Sequence, residues 1–210
     1  MSFPPFSRRY FLLLVLAWPA LADSSADSSP QGIKNFYQVD PHVYRGAQPS
    51  EDGFQYLAKL GVKTVIDLRE ADQRSKAEET AVTAAGMRYV NVPMTGLAAP
   101  TGAEIGRILG ILEGDGGTVF VHCKRGADRT GVVIASYRID RDGWNNADAL
   151  SEAKARGMAP FQFPRMSYIR AFRPRTLEAK TGAPGTMATT ASDPTTVDPS
   201  GIASSPAAVR

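Results

Sequence analysis

The run Thr118-Val119-Phe120-Val121-His122 is apolar on both faces a strand can present, and it leads into a short glycine-containing loop followed by a helical pattern. A strand with no polar face must be covered on both sides, which is the situation of a central strand in a parallel sheet. The preceding sequence fits that requirement. Phe36 to Val39 and Val43-Tyr44 read as short strands around the turn-forming Asp40-Pro41. Ser50 can cap a helix whose apolar face is Phe54, Leu57 and Leu60, with Gly61 as its stop. Residues 62–67 read as a buried strand, 73–85 as a helix and 87–92 as the next strand. Thr101 with Glu104 forms a capping box ahead of Ile105, Ile108, Leu109 and Leu112 on one helical face. Helices are expected at 130–140, 147–156 and 166–179. Strands alternating with helices through short connections predict an α/β fold, a mainly parallel central sheet flanked by helices.

The two ends of the chain read differently. Arg8 and Arg9, an apolar stretch from Phe11 to Trp18, and Ala20-Leu21-Ala22 before Asp23 have the layout of an export signal covering residues 1–22. Ser7-Arg8-Arg9-Tyr10-Phe11-Leu12 also fits a twin-arginine signal, and the general secretory route stays open beside it. The apolar run is too short to span a bilayer comfortably, so the expectation is a periplasmic or secreted protein without a stable membrane span after cleavage, with an uncleaved membrane anchor as the other reading. Residues 23–32 are small and polar and read as a flexible leader. The folded domain is expected at 33–180. Residues 181–210 are dominated by Thr, Ala, Ser, Pro and Gly, too poor in large apolar side chains to offset the entropy of ordering, and are expected to form a disordered tail.

Charge and cysteine content narrow the chemistry. The chain has 24 lysines and arginines against 21 acids, and loss of Arg8 and Arg9 would leave an excess of one. That is no broad basic surface for nucleic acid, so positive charge can matter only locally. One cysteine and two histidines are present. No internal disulfide can form, and with no carboxylate–histidine cluster visible in the sequence, neither a metal nor a cofactor is expected. Oligomeric state leaves no mark in the sequence.

The lone cysteine stands where such a sheet gathers ligands, at the carboxyl end of the central strand. A loop of this length can curl its backbone N–H groups inward, Gly126 permits the tight curl, and the helix behind adds the positive end of its dipole. The same field favours the thiolate of Cys123, the nucleophilic form. Arg129, six positions on, can offer a planar fork of donors to two phosphate oxygens. Lys124, Arg125, Gly126, Ala127, Asp128 and Arg129 are the expected substrate-binding segment.

The pattern His122, Cys123, five residues, Arg129, Thr130 resembles the signature of the protein tyrosine and dual-specificity phosphatase superfamily. Tyr44-Arg45-Gly46-Ala47-Gln48-Pro49 and residues 62–69 are similar to the opening of its domain. Cys123-Lys124-Arg125-Gly126 with Arg129-Thr130-Gly131 is most similar to the atypical dual-specificity branch known from plants and fungi. The resemblance implies hydrolysis of phosphate monoesters through a phosphocysteine on Cys123, with Arg129 binding the phosphoryl group. It also implies that Thr130 hydrogen-bonds the sulfur and that His122 orients the cysteine from behind.

The sequence departs from that family in one respect. About thirty residues before the cysteine, where the family carries an aspartate as general acid, it reads Asn91-Val92-Pro93-Met94-Thr95-Gly96-Leu97. Asp72, Glu104 and Asp115 are accounted for by a helix start, the capping box and a turn. Asp128, beside Arg129 and thus resembling certain phosphoinositide phosphatases, is the expected acid, with a solvated loop carboxylate or an ion pair to Lys124 or Arg125 as its other reading. Lys124 and Arg125 favour a substrate with several anionic groups. The expected partner is a phosphorylated protein, or a phosphorylated small molecule or lipid. Arg45 and Arg69 can converge on the same mouth or pair with acids. His42 and Trp144 suit turn and core roles. A rhodanese-like sulfurtransferase and a phosphate-binding module without turnover remain alternatives.

Overall fold

A computed structural model describes residues 32–175; the expected export signal, most of the leader and the expected tail lie outside them. The elements are β1 (Tyr37–Gln38), β2 (Val43–Ala47), α1 (Glu51–Lys59), β3 (Thr64–Asp67), α2 (Gln73–Ala84), β4 (Arg88–Asn91), α3 (Gly102–Leu112), β5 (Val119–Cys123), α4 (Asp128–Asp140), α5 (Asn146–Ala155) and α6 (Phe163–Ala171). The strand order is β1-β2-β5-β3-β4. Only β1 runs antiparallel, as an edge; β2, β5, β3 and β4 are parallel. The expected fold class is thus the observed one.

β5 lies at the centre and every residue in it is buried, as its two apolar faces require. Its side chains alternate between two cores. Val119, Val121 and Cys123 join residues of α3 to α6 on one face, while Phe120 joins Phe54 and Leu57 of α1 and Val82 of α2 on the other. This alternation sends Cys123 and His122 to opposite faces of the sheet. α4 packs directly behind β5 and is buried along most of its length. A Cβ on Gly131 would stand 3.0 Å from Met158 Cε and 3.5 Å from Ala153 Cβ, so the missing side chain lets α4 approach α5 closely.

The expected caps form. Ser50 Oγ accepts from Gly53 N at 3.4 Å. Thr101 Oγ1 accepts from Glu104 N at 3.1 Å while Glu104 accepts from Thr101 N at 2.6 Å. Some bounds move. α4 starts at Asp128 rather than Thr130, and α6 starts at Phe163 rather than 166 and ends at Ala171, because Pro164 sits in its first turn and Phe172 is already extended; the expected stretch 176–179 lies outside the described residues. Leu60 does not join the α1 face: it follows the last helical residue and is 37% exposed.

Candidate active site

Cys123 is the last residue of β5, is 4% exposed, and is register partner to Ala47 of β2. The chain from Lys124 to Ala127 then turns back into α4. Three successive carbonyls of this turn are tied to groups behind it. Lys124 O accepts from Gln48 N (3.4 Å) and Arg125 O from Asn35 Nδ2 (3.3 Å). Gly126 O accepts from both Arg45 Nη2 (2.8 Å) and Asn35 Nδ2 (3.0 Å). In a trans peptide the N–H points opposite to the C=O. The N–H groups of Arg125, Gly126 and Ala127 are therefore turned to the other side, which makes a cup for an anion. Ala127 supplies no side-chain cap to α4, so none of its own atoms competes for the first-turn N–H groups. Gly126 has φ +67°, and a Cβ there would fall 2.3 Å from the carbonyl carbon and oxygen of Gly46; glycine is a steric requirement of the turn.

A cleft of about 390 Å³ opens over this turn, lined by Cys123, Lys124, Arg125, Asp128 and Arg129, and from other segments by Gly96, Leu97, Phe161, Gln162 and Arg165. Arg129 is the first residue after Asp128 in α4, and its guanidinium stands 3.9 Å from Glu70 Oε1. Glu70 also accepts from Gly96 N at 3.5 Å. Asp128 is 9% exposed; one carboxylate oxygen accepts from Ala159 N at 2.9 Å and the other pairs with Arg125. The ion-pair reading of Asp128 is thus present in the structure, with Arg125 as the partner. Thr130 is fully buried, and its hydroxyl finds no hydrogen-bond partner among the described residues.

His122 faces the opposite core, where its Nε2 lies 2.8 Å from Glu78 Oε1 of α2, off the line of a straight hydrogen bond. Asp67, register partner of His122 on β3, binds Arg69 through both oxygens (2.7–3.1 Å) and accepts from Tyr89 Oη at 2.8 Å. Arg69 also reaches Glu78 at 2.6 Å. Burial pushes the Asp67 carboxyl up, but the Arg69 hydrogen bonds and the neighbouring His122 outweigh it and hold the pKa below the ordinary value. Burial and the Asp67 charge raise the Tyr89 hydroxyl far above its usual range. The expectation that no carboxylate–histidine cluster exists is corrected here: Asp67, Glu78 and His122 offer ligand atoms within 4.8 Å of one another. The parallel register of β3 and β5 and the return of α2 assemble them, and none of that is visible as sequence spacing. Arg69 already bonds both carboxylates, so the cluster is balanced by a guanidinium.

Arg45 and Arg69 do not converge on the mouth. Arg69 is held in the network just described. Arg45 is fully buried beneath the turn, with Nε and Nη1 unpartnered among the described residues, and burial lowers its pKa to about 10. At neutral pH it is a cation behind the cup, holding the Gly126 carbonyl. Asn91, in the stretch where the family keeps its acid, instead donates to the carbonyls of Asp67 (2.9 Å) and Arg69 (3.0 Å). Asp72 caps α2 through Arg74 N and Ser75 N. Sequence patterns did not single out Asn35, Glu70, Glu78 or Arg165. Asn35 carried one faint signal, since Gly-Ile-Lys-Asn precedes the first strand and asparagine tolerates its observed φ of +51°; the others looked like ordinary helix or loop charges.

A strand-to-helix anion cup with a cysteine at its base and an arginine at its rim defines a phosphate-handling class of α/β protein. The family profile described as "DSP-PTPase phosphatase fused to NAD+ Kinase" matches residues 20–170, and the chain belongs to the cysteine-dependent dual-specificity phosphatase superfamily. The dual specificity protein phosphatase TpbA of Pseudomonas aeruginosa (strain UCBPP-PA14) is 33% identical over 144 residues, covering 65% of this chain and 63% of its own length; the chain thus spans less than two thirds of that relative. The crystal structure of a cysteine-to-serine variant of P. aeruginosa TpbA in complex with pTyr superposes with a TM-score of 0.59 at 27% identity, covering 74% of this chain and 98% of that one. The catalytic core of the Saccharomyces cerevisiae PP-IP phosphatase Siw14 shares the fold, with a TM-score of 0.60 at 20% identity over 71% of this chain and 93% of its own.

Proposed function

We propose that the protein hydrolyses phosphate monoesters by covalent catalysis on Cys123. The observation that carries this reading is the cup itself, in which three carbonyls are tied back, the thiol lies at the base and Arg129 stands at the rim. The Cys123 thiolate attacks phosphorus and the ester P–O bond breaks. Asp128, in its protonated form, gives that proton to the departing oxygen and is left as the carboxylate, while the turn amides and Arg129 hold the three equatorial oxygens. Water then attacks phosphorus, the S–P bond breaks, the water proton passes to Asp128, and inorganic phosphate leaves. Thr130 donates its otherwise unpartnered hydroxyl to the sulfur as it departs. His122, fixed against Glu78, sets the end of β5 that carries the thiol.

The substrate we favour is an aryl phosphate such as phosphotyrosine on a protein. Leu97 and Phe161 line the cleft and are each 55% exposed, apolar walls suited to a ring, and the TpbA complex holds pTyr. Polyanionic phospholipids or inositol phosphates are the competing class. Lys124 supports them, whereas Arg125 supports them less, because Asp128 already engages it. A phosphate-release panel of phosphotyrosine, phosphoserine, phosphoinositide and inositol polyphosphate, run beside Cys123→Ser, tests the reading. Release by the wild type that Cys123→Ser abolishes is expected; release that survives Cys123→Ser overturns it.

A second reading, phosphate binding without turnover, draws on the double engagement of Asp128 by Arg125 and Ala159 N–H. Asp128→Asn separates the two. Alkyl phosphates need leaving-group protonation more than aryl phosphates, so their hydrolysis is expected to fall by about 10²–10⁴-fold and aryl hydrolysis by less. An unchanged alkyl rate removes Asp128 from the mechanism. We also propose that the protein works outside the cytoplasm, on the strength of residues 1–22. Recovery of a mature chain beginning at Asp23 from an extracytoplasmic fraction is the check. Among the described residues no helix is long and apolar enough to cross a membrane.

A further inference from the structure

α6 brings Arg165 to the lining of the same cleft as the catalytic turn. This residue is 1% exposed, yet among the described residues its hydrogen bonds go only to neutral acceptors. Nη2 donates to Gly96 O at 2.8 Å and Nη1 to the Gln162 side chain. Nε is buried and has no hydrogen-bond partner among the described residues. Among the described residues no carboxylate lies within ion-pair distance of it, although the other buried arginines near this site are matched differently: Arg69 has two carboxylates, and Arg45 a carbonyl of the turn. Burial drives the Arg165 pKa down, and the nearby Arg129 charge drives it further, while Asp128 and Cys123 act in the opposite sense. A buried guanidinium beside a second guanidinium and without a counter-ion is costly to fold around, and a dianion in the cup would supply the missing charge.

Resting on the phosphatase reading, we infer that Arg165 is a phosphate-binding residue of this site, a buried cation whose counter-ion is the phosphoryl group held by Arg129 and the turn. Its contribution is electrostatic. It strengthens binding of the phosphate dianion of substrate and product, and the Gly96 and Gln162 bonds keep the guanidinium from turning away.

The test is the affinity of inorganic phosphate for the full chain, measured by calorimetry in a Cys123→Ser background so that binding is read apart from turnover. Arg165→Gln keeps an amide donor for Gly96 but removes the charge; Arg165→Lys keeps the charge and loses the fork. The expected result is a Kd raised roughly tenfold or more by the glutamine and substantially recovered by the lysine, with the same order among KM values for a phosphate ester in the Cys123 enzyme. Should the glutamine variant fold poorly, Arg165→Met carries the same comparison. Affinity kept by the uncharged variant and lost by lysine marks a hydrogen-bonding clasp and overturns the inference. Arg129→Lys separates the two readings. If it weakens phosphate binding while Arg165→Gln does not, the cup stands and Arg165 falls; if neither weakens binding, the site reading falls with it.

Discussion

At the level of single residues the site depends on atoms that are absent as much as on those present. Gly126 lies under the carbonyl of Gly46, and the approach that excludes a Cβ is the same approach that lets Arg45 and Asn35 hold the turn's carbonyls. Gly126→Ala is expected to destabilise the fold by about 2–3 kcal/mol, from positive φ and backbone collision together, and to lower phosphate affinity in parallel; urea denaturation and phosphate titration measure the two. Glu70 acts in the opposite direction. Its carboxylate stands 3.9 Å from Arg129, half exposed, and it competes with a phosphate for the same guanidinium. Glu70→Gln should lower KM by a few-fold with kcat unchanged, because freeing the guanidinium strengthens its hold on the phosphoryl group equally in the ground and transition states. A raised KM would show that Glu70 positions Arg129 instead.

Among the elements, α3 and α4 begin in contrasting ways. α3 is closed by a reciprocal capping box between Thr101 and Glu104 at an exposed end, and it has a stability role only. Thr101→Ala should cost about 1 kcal/mol in urea and leave phosphate hydrolysis untouched. α4 begins at Asp128 with no side-chain cap, and its N-terminus faces the cleft. Its uncapped amides and dipole suit an anion, and on the proposed function a residue such as Ser or Asp at position 127 would compete with substrate for them. The two helices therefore use the same backbone donors for different ends.

For the molecule as a whole, acid is the vulnerable side. Asp67 and Asp40 both have folded pKa values below the ordinary carboxylate value. For Asp40, burial raises the value, but the bonds from Tyr137 and from the amides of His42 and Val43 lower it more. A carboxylate with a depressed folded pKa contributes stability that is complete above its unfolded value, about 4, and is lost as pH falls through the folded value. Urea midpoints should thus hold steady from pH 7 to about 5 and decline below about 4. Asp67→Asn should weaken the protein by about 3–5 kcal/mol at neutral pH, since it leaves Arg69 and the His122–Glu78 pair poorly matched, and should flatten the acid decline.

What the sequence determined by itself was local. A run apolar on both faces must be a central strand, Gly126 between that strand and a helical pattern marks a tight turn, and Cys123 with Arg129 at their spacing defines the two ends of the cup. These features rest on neighbours within a few residues, so they are legible along the chain. The tertiary structure decided what depends on parallel register and on the return of the helices. It brought Asp67 and Glu78 to His122, put Arg45 beneath the turn rather than at its mouth, gave Asn91 to two carbonyls, and set Arg165 in the same cleft as Arg129. Partners so far apart along the chain have no period to betray them; a charged side chain in a helix looks the same in sequence whether solvent or a buried cleft receives it.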